Sequence, residues 1–366
     1  MNTIPPYFTL GTAKNALLTP FLAVLLLVPG LALATEKPAT LTFLTWGEYI
    51  DDDMVAEFET EHNAKVKFVY YESDAARDEI MTTSNAVGVD LILVDSVTTS
   101  FYHQLDWITE FDSRQAPNLT QARLPELSGL EARDKRCVPY AWGTTGIAYR
   151  TDLVPEPMTR WQQLYEPAPE LKGRILMSDN GEEVIGMALK SLGYSMNSDA
   201  PQQLEQARQL LLAQAPSVAG YSPVAVETSK AKLVTGEVSA ILTYSGDALM
   251  LKEAEPRIEY VLPEEGGVVW ADFICLAAKA DNPELAHRFV DFINRPAQAA
   301  KNALYINSAT PNQAAEALLP ADFLSNPLIY PDKTKLAKSE THHILPPKLI
   351  KQHRRIMRDI TRANRE

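Results

Sequence analysis

Residues 41–94, LTFLTWGEYIDDDMVAEFETEHNAKVKFVYYESDAARDEIMTTSNAVGVDLILV, carry the pattern that sets the fold class. Leu41-Thr42-Phe43-Leu44 is a short apolar strand. Met54, Val55 and Phe58 then recur on one face of a helix that Asp51, Asp52 or Asp53 can cap. Val66 to Tyr71 is strand-like, a helix runs through Met81, and Val89 to Val94 is a mostly apolar run. Such a βαβαβ series implies a parallel sheet with helices on both faces, hence an α/β fold.

The theme returns further along. Arg174 to Met177 and Ser239 to Thr243 read as strands, Glu182 to Leu192 as a helix and Gly246 to Glu253 as a short one. No sequence repeat at a fixed period accompanies them. A chain of 366 residues exceeds the size at which a single core keeps growing, so two α/β lobes are the simplest arrangement. Leu124–Glu131, Val154–Met158 and Leu319–Lys335 are irregular, contain proline and read as loops. The last segment, Pro346 to Arg365, has Leu349, Ile350, Ile356, Met357 and Ile360 on one face and Lys351, Arg354, Arg355, Arg358 and Arg362 elsewhere. It reads first as an amphipathic helix docked on a lobe, and second as a basic surface for a membrane protein or lipid.

Residues 1–34 have the form of a secretory signal peptide. Lys14 precedes the apolar run Ala16 to Val28, and a Pro29-Gly30 break leads to Ala32-Leu33-Ala34 before the cut. Pro20 interrupts the run, which is shorter than the ~20 apolar residues of a membrane span. Cleavage there removes one of the 34 basic side chains and none of the 47 acidic ones. That balance argues against nucleic acid or any polyanion as partner and suits a cationic ligand. Cys137 and Cys275 are too few for a disulfide scaffold. In an oxidising compartment they either pair or remain two small buried apolar side chains, and the sequence leaves both open.

No G-x-S-x-G elbow, H-E-x-x-H, P-loop or Rossmann glycine fingerprint occurs, so the chain does not read as an enzyme. His62, His103, His287, His342, His343 and His353 are scattered, and the adjacent His342-His343 pair lacks the outside ligands of a metal site. No metal or cofactor is expected.

What recurs instead is an aromatic beside an acid or amide at strand ends: Trp46-Gly47-Glu48-Tyr49, Tyr140-Ala141-Trp142, Tyr244-Ser245-Gly246-Asp247 and Trp270-Ala271-Asp272. Ser178-Asp179-Asn180-Gly181-Glu182-Glu183 lies between a strand and a helix, where it can cap the helix and also sit where α/β folds place ligands. Each cluster alone is ordinary packing or capping. Together they suit a chain of methylenes bearing ammonium groups, because flat rings hold the hydrocarbon and the cation while carboxylates neutralise each buried charge.

At these positions the chain resembles the periplasmic spermidine/putrescine-binding proteins of bacterial ABC uptake systems. The resemblance rests on Trp46-Gly47-Glu48-Tyr49-Ile50, Tyr71-Glu72-Ser73, Pro139 to Ile147, Glu183-Val184, Met187-Ala188-Leu189, Leu192-Gly193-Tyr194, Glu265 to Asp272, Arg295-Pro296 and Thr310-Pro311-Asn312. It implies a type II periplasmic binding protein fold, two α/β lobes with the ligand in the cleft between them. The chain is expected to cross near Gly143–Thr145, to return near Asp272, and to cross again near Leu319–Phe323. This gives residues 35–143 plus 273–320 to one lobe and 144–272 plus 321–366 to the other.

The resemblance also assigns roles. Trp46 and Tyr49 stand as the aromatic wall of the first lobe with Glu48 beside them, Trp270 as the opposite wall, and Asp272 as the carboxylate for an amine. Glu183 reaches the far amine, Tyr244 stands where relatives often have Trp, and Asp247 matches the acid of putrescine-type members. Three positions depart from the pattern: Asn180 stands where spermidine-type relatives tend to have Asp, Asp95 where they have a Ser, and Val97 where some members have an aromatic. The expected function is capture of a polyamine in the periplasm by a monomer that closes on a hinge and presents the cargo to an inner-membrane ABC permease. Reporting occupancy to a membrane sensor protein is the alternative. An amino-acid ligand would need an Arg clamp, and none stands among these markers; an acid/base hydrolase built on Glu183 and Asp247 lacks a nucleophile or metal.

Overall fold

Ten strands hydrogen-bond into one curled sheet among the described residues, which in this computed structural model are 37–121, 124, 136–222 and 228–366. They are β1 (Ala39–Thr45), β2 (Ala64–Tyr70), β3 (Leu91–Asp95), β4 (Ile108–Thr109), β5 (Cys137–Arg150), β6 (Ile175–Met177), β7 (Val218–Tyr221), β8 (Ala240–Tyr244), β9 (Ile258–Val261) and β10 (Val268–Ala277). The order is β2-β1-β3-β10-β5-β8-β6-β7, with β4 beside β10 and β9 beside β5. The helices of nine or more residues are α1 (Asp52–His62), α2 (Asp74–Ser84), α3 (Ser96–Gln104), α4 (Gly181–Ser191), α5 (Pro201–Gln214), α6 (Ser245–Ala254), α7 (Pro283–Ile293), α8 (Pro296–Tyr305) and α9 (Pro347–Arg365). The expected signal peptide and most of Leu124–Glu131 lie outside the described residues.

The βαβαβ reading holds at each step. β1 pairs in parallel with β2 and β3, and α1 begins where Asp51 accepts a hydrogen bond from the Met54 amide at 2.7 Å. Met54, Val55 and Phe58 are buried, as their spacing requires. The second lobe repeats the arrangement, with β6 parallel to both β7 and β8.

The two long strands differ from this pattern. β5 and β10 are antiparallel to each other and to their neighbours β8 and β3, so they stitch the two parallel sets into one sheet. Apolar packing divides along them. Val138, Ile274 and Leu276 join Leu41, Phe43 and Phe289, whereas Ile147, Tyr149 and Val268 join Ile175, Leu189 and Leu211. The fold is therefore the two-lobed type II periplasmic binding architecture, with strands of the sheet passing from one lobe to the other.

Cys137 and Cys275 stand opposite each other on β5 and β10 and form a disulfide with Cα atoms 4.4 Å apart. The sequence left this pairing open because a separation of 138 residues says nothing about distance in space.

Leu319–Lys335, expected to be irregular, contains two helical turns, Ala321–Leu324 and Lys333–Leu336. Pro320 and Asp332 precede them, and the Asp332 side chain accepts from the Thr334 amide at 2.7 Å. Prolines that suggest a loop here also start short helices. The C-terminal helix docks as its periodicity predicts, burying Leu349, Ile356 and Ile360 against the second lobe.

Candidate ligand-binding site

The site forms where the carboxyl ends of the parallel strands face the middle of the crossing strands. Asp95 ends β3 and lies directly across from Asp272 on β10; Tyr244 ends β8 and lies across from Thr145 on β5; Trp270 lies across from Gly143. A single sheet thus brings residues from both lobes to its central strands, the place where open α/β sheets bind ligands.

On the first lobe, Trp46 follows β1 and packs its indole on Tyr71, ring centroids 4.3 Å apart. Tyr71 is held in turn by its hydroxyl, which donates to the Leu93 carbonyl at 2.8 Å. Tyr49 packs against Tyr140 at 5.7 Å and donates its hydroxyl to Asp272 Oδ2 at 2.8 Å. Tyr140 donates to the Tyr49 carbonyl at 2.6 Å and accepts from Asn302 at 2.8 Å, so the ring that positions Asp272 is itself positioned from the α8 side. Glu48 shares none of these contacts. It is exposed on a turn with φ +53°.

The Asp95 side chain is engaged locally. It caps α3, accepting from the Val97 and Thr98 amides at 2.7 and 2.9 Å and from the Thr98 hydroxyl at 2.5 Å. Beside it sits Arg77, only 1 % exposed. Arg77 donates to Asp74 at 2.7 Å, to Asp78 at 3.2 Å and to the Thr98 hydroxyl at 3.0 Å, and lies 3.7 Å from Asp95. Its guanidinium also lies over the Tyr71 and Tyr102 rings, 5.6 Å from each centroid.

Arg77 is the arginine that sequence reasoning missed. The Asp74/Arg77 spacing of three on a helix was a visible signal for the pair. With three carboxylates around it, the guanidinium is already neutralised and offers no free clamp for a ligand carboxylate. The extra acid at Asp95 is balanced by the same cation.

On the second lobe, Asn180 caps α4, its Oδ1 accepting from the Glu182 and Glu183 amides at 3.0 and 3.4 Å. This capping role needs an acceptor and no charge, so an Asn serves it. The first turn of α4 delivers Glu183, 2 % exposed, to the Thr145 hydroxyl at 3.2 Å, with Tyr244 and Ser178 as further hydrogen-bond partners. Tyr244 and Trp270 meet edge to face with centroids 6.1 Å apart. Gly143 makes room for that indole, because a β-carbon there would fall 2.4 Å from Trp270 Cζ2. Asp247, on the first turn of α6, accepts from the Thr243 hydroxyl at 3.3 Å.

Glu182, marked in the sequence only as part of the Ser178–Glu183 segment, and His342, not expected there at all, join the site. Glu182 lies next to Glu183 on α4, and His342 Nδ1 stands 3.7 Å from its carboxylate. No local pattern signals this pair, because its members stand far apart along the chain.

Burial raises all four carboxyls of the site. Burial pushes Asp272 up to about 7; the Tyr49 hydrogen bond opposes this, and the negative charges of Asp95 and Asp74 add to it. Burial likewise holds Glu183 near 7 against hydrogen bonds from Tyr244, Thr145 and Ser178, with Asp74 contributing. Glu182 rises to about 7 through burial and the charges of Asp95 and Asp74. Asp247 rises to about 6 through burial, opposed by Thr243. Asp74 of the first lobe is thus felt by Asp272, Glu182 and Glu183 alike. Burial of Asp272, Glu183 and Asp247, opposed at Asp272 by the more distant charge of Arg77, leaves the site short of positive charge.

Comparison with known proteins agrees with this architecture. The family model for bacterial extracellular solute-binding protein matches residues 53–331. The chain is 30 % identical over 304 residues to a spermidine/putrescine-binding periplasmic protein of Salmonella typhimurium, covering 82 % of this chain and 86 % of that one. It is 27 % identical over 323 residues to a norspermidine sensor of Vibrio cholerae, covering 88 % of each. A spermidine/putrescine ABC transporter substrate-binding protein of Streptococcus pneumoniae superposes with a TM-score of 0.79 at 26 % identity, covering 89 % of this chain and 99 % of that one. The first and last of these are named as binding proteins, and no helix among the described residues is long and apolar enough to cross a membrane. The chain belongs to the bacterial extracellular solute-binding protein family, in the group of the spermidine/putrescine-binding periplasmic proteins.

Proposed function

We propose that this protein captures a polyamine in the periplasm, closes its lobes around it as a monomer and presents it to an inner-membrane ABC permease. The observation that carries the reading is the set of acids whose protonation is poised near neutrality, Asp272, Glu183 and Glu182, flanked by the Trp46–Tyr71 and Tyr244–Trp270 ring pairs. A polyamine remains charged at pH 7, so its ammonium groups supply the missing cations while its methylenes lie on the rings.

In this reading Trp46 and Tyr49 form one wall and Trp270 with Tyr244 the other. Asp272 takes one amine, Glu183 and Asp247 the far one, and Glu48, Asp95 and Asn180 frame the rim. Residues 35–143 plus 273–320 and residues 144–272 plus 321–366 move as the two bodies of a hinge. Packing agrees with that division at Leu319, which lies on Ala300 and Ala303, and at Glu340, which pairs with Lys190 of α4 at 2.9 Å, whereas Phe323, Ile329 and Leu336 between them pack with Leu44, Ile92 and Tyr102 of the first lobe. The similarity to a norspermidine sensor supports a second reading, in which the closed form reports occupancy to a membrane receptor.

A thermal-shift panel of putrescine, cadaverine, spermidine, norspermidine and spermine tests the proposal, since a ligand of the folded state raises its midpoint by mass action. At least one is expected to raise it by several degrees. No shift with any of them, or a shift with arginine alone, contradicts the reading.

The acids also fix the sign of the pH dependence. Asp272 and Glu183 move from ordinary values of 3.8 and 4.5 to about 7. Between those values the ligand-free folded protein holds protons that the unfolded chain has released. This part of its stability is therefore full below about pH 4 and lost as pH rises through about 7. A bound ammonium reverses the preference by favouring the ionised carboxylates. The polyamine-induced shift is thus expected to be larger at about pH 8 than at about pH 5.5, while the contribution of these groups to ligand-free stability runs the other way. Equal shifts at both pH values would contradict the proposed contact.

A further inference from the structure

The C-terminal helix carries a feature that ligand capture does not use. Lys348, Lys351, Arg355, Arg358, Arg362 and Arg365 follow one another at intervals of 3, 4, 3, 4 and 3 residues, and all are exposed. At about 100° per residue they fall within one sector roughly 100° wide, almost opposite buried Leu349, His353, Ile356 and Ile360. Arg354 flanks the stripe and is exposed as well. In a chain of net charge −13, this is a continuous cationic ridge about 26 Å long on a helix of 19 residues.

Little of that charge is spent within the protein. Arg362 meets the terminal Glu366 at 2.9 Å and Arg358 lies 3.8 Å from Asp359, both at the surface. Lys348, Lys351, Arg354 and Arg355 have no ion pair among the described residues. The helix is nonetheless fixed in rotation. Asp359 pairs with Arg208 of α5 at 3.0 Å, and Asn364 donates to the Ala215 and Val218 carbonyls at 2.9 and 2.6 Å. The ridge therefore faces outward by construction.

We propose that this ridge adsorbs the protein to an anionic phospholipid surface. Four observations favour lipid headgroups over a protein partner. A straight row of cations on a helix is tangent to a plane along its whole length, so all six can reach phosphates at once. The helix contributes no exposed large apolar side chain, whereas a specific protein interface centres on apolar and aromatic anchors. Its own apolar face is committed to the core of the second lobe, so it adsorbs without inserting. Arginine in four of the six positions suits phosphate oxygens, which it grips through two N–H groups. Binding of this kind is electrostatic and fades with salt.

The test is co-sedimentation of the full chain with vesicles, comparing phosphatidylcholine alone with a mixture containing about one-third phosphatidylglycerol. Wild type is compared with a Lys351→Glu/Arg355→Glu/Arg358→Glu variant. An apolar N-terminal run is common to both proteins and cancels in that comparison. Wild type is expected to partition at least tenfold more strongly onto the anionic vesicles at low salt and to lose that excess at about 0.5 M NaCl. The variant is expected to lose it at every salt concentration while keeping its melting midpoint and polyamine-induced thermal shift. No excess for wild type, or an equal excess for the variant, overturns the proposal. Binding to poly-glutamate without binding to the anionic vesicles also overturns it, in favour of an acidic protein surface.

Discussion

Replacing Asp272 by asparagine is expected to cost polyamine affinity about 3–5 kcal/mol, or roughly 10²- to 10⁴-fold in Kd, because it leaves one ammonium in the site without its counter-ion. The fold should survive. The amide of an Asp272→Asn variant would keep an oxygen for the Tyr49 hydroxyl, which lies 2.8 Å from the native carboxylate, and the β10 backbone would be unchanged. Removing the acid should also raise the ligand-free midpoint at about pH 8, where its buried charge opposes folding, and change it little at about pH 5. This combination of lost binding and gained stability distinguishes a ligand carboxylate from a structural one. A structural carboxylate would lose stability at both pH values. Calorimetric titration of the variant, with melting curves at the two pH values, makes the measurement.

The second large effect concerns the disulfide. Cys137 and Cys275 are buried, face each other across β5 and β10, and close a loop spanning 138 residues. Removing such a bridge typically costs about 2–5 kcal/mol. A Cys137→Ala/Cys275→Ala protein is therefore expected to unfold at clearly lower denaturant concentration than wild type. The same shift should appear in wild type on reduction and be absent when reductant is added to the variant. The bridge ties the strands that hold Gly143 and Asp272, yet it touches no acid of the site. Polyamine affinity measured well below the melting range should stay within about threefold of wild type. A variant as stable as wild type would mean that the sheet alone holds these strands in register.

Much of this was legible in the sequence, for identifiable reasons. The helix through Met54, Val55 and Phe58 and the strand through Leu41–Leu44 obey simple periodicity, and their burial follows from it. α9 was equally clear, since its apolar residues repeat on one face. The antiparallel crossing of β5 and β10 was not visible in any local pattern, because both strands are buried along most of their length and pairing direction is set by topology. Their place came from resemblance. The disulfide was hidden for the same reason.

Within the site, the aromatic and acidic clusters were legible as residue types and not as contacts. Trp46 and Tyr49 both follow β1, but the partner of Trp46 is Tyr71, and the acid that Tyr49 touches is Asp272, 223 residues away. Asn180 and Asp95 proved to be helix caps; the position of Asn180 between strand and helix had signalled this, whereas the helix that Asp95 caps was not read from the sequence. Arg77, Asp74 and His342 were missed. Each looks like an ordinary surface charge until folding sets it beside the others.

The proposed capture of a polyamine requires carboxyls of the site to give up protons when an ammonium arrives. Its most direct test is calorimetric titration at pH 7 of the polyamine with the largest thermal shift, carried out in two buffers of different ionisation enthalpy. The predicted result is one-to-one binding whose heat differs between the buffers, reporting release of protons to solvent. Binding heat that is the same in both buffers, or no binding at all, would contradict it.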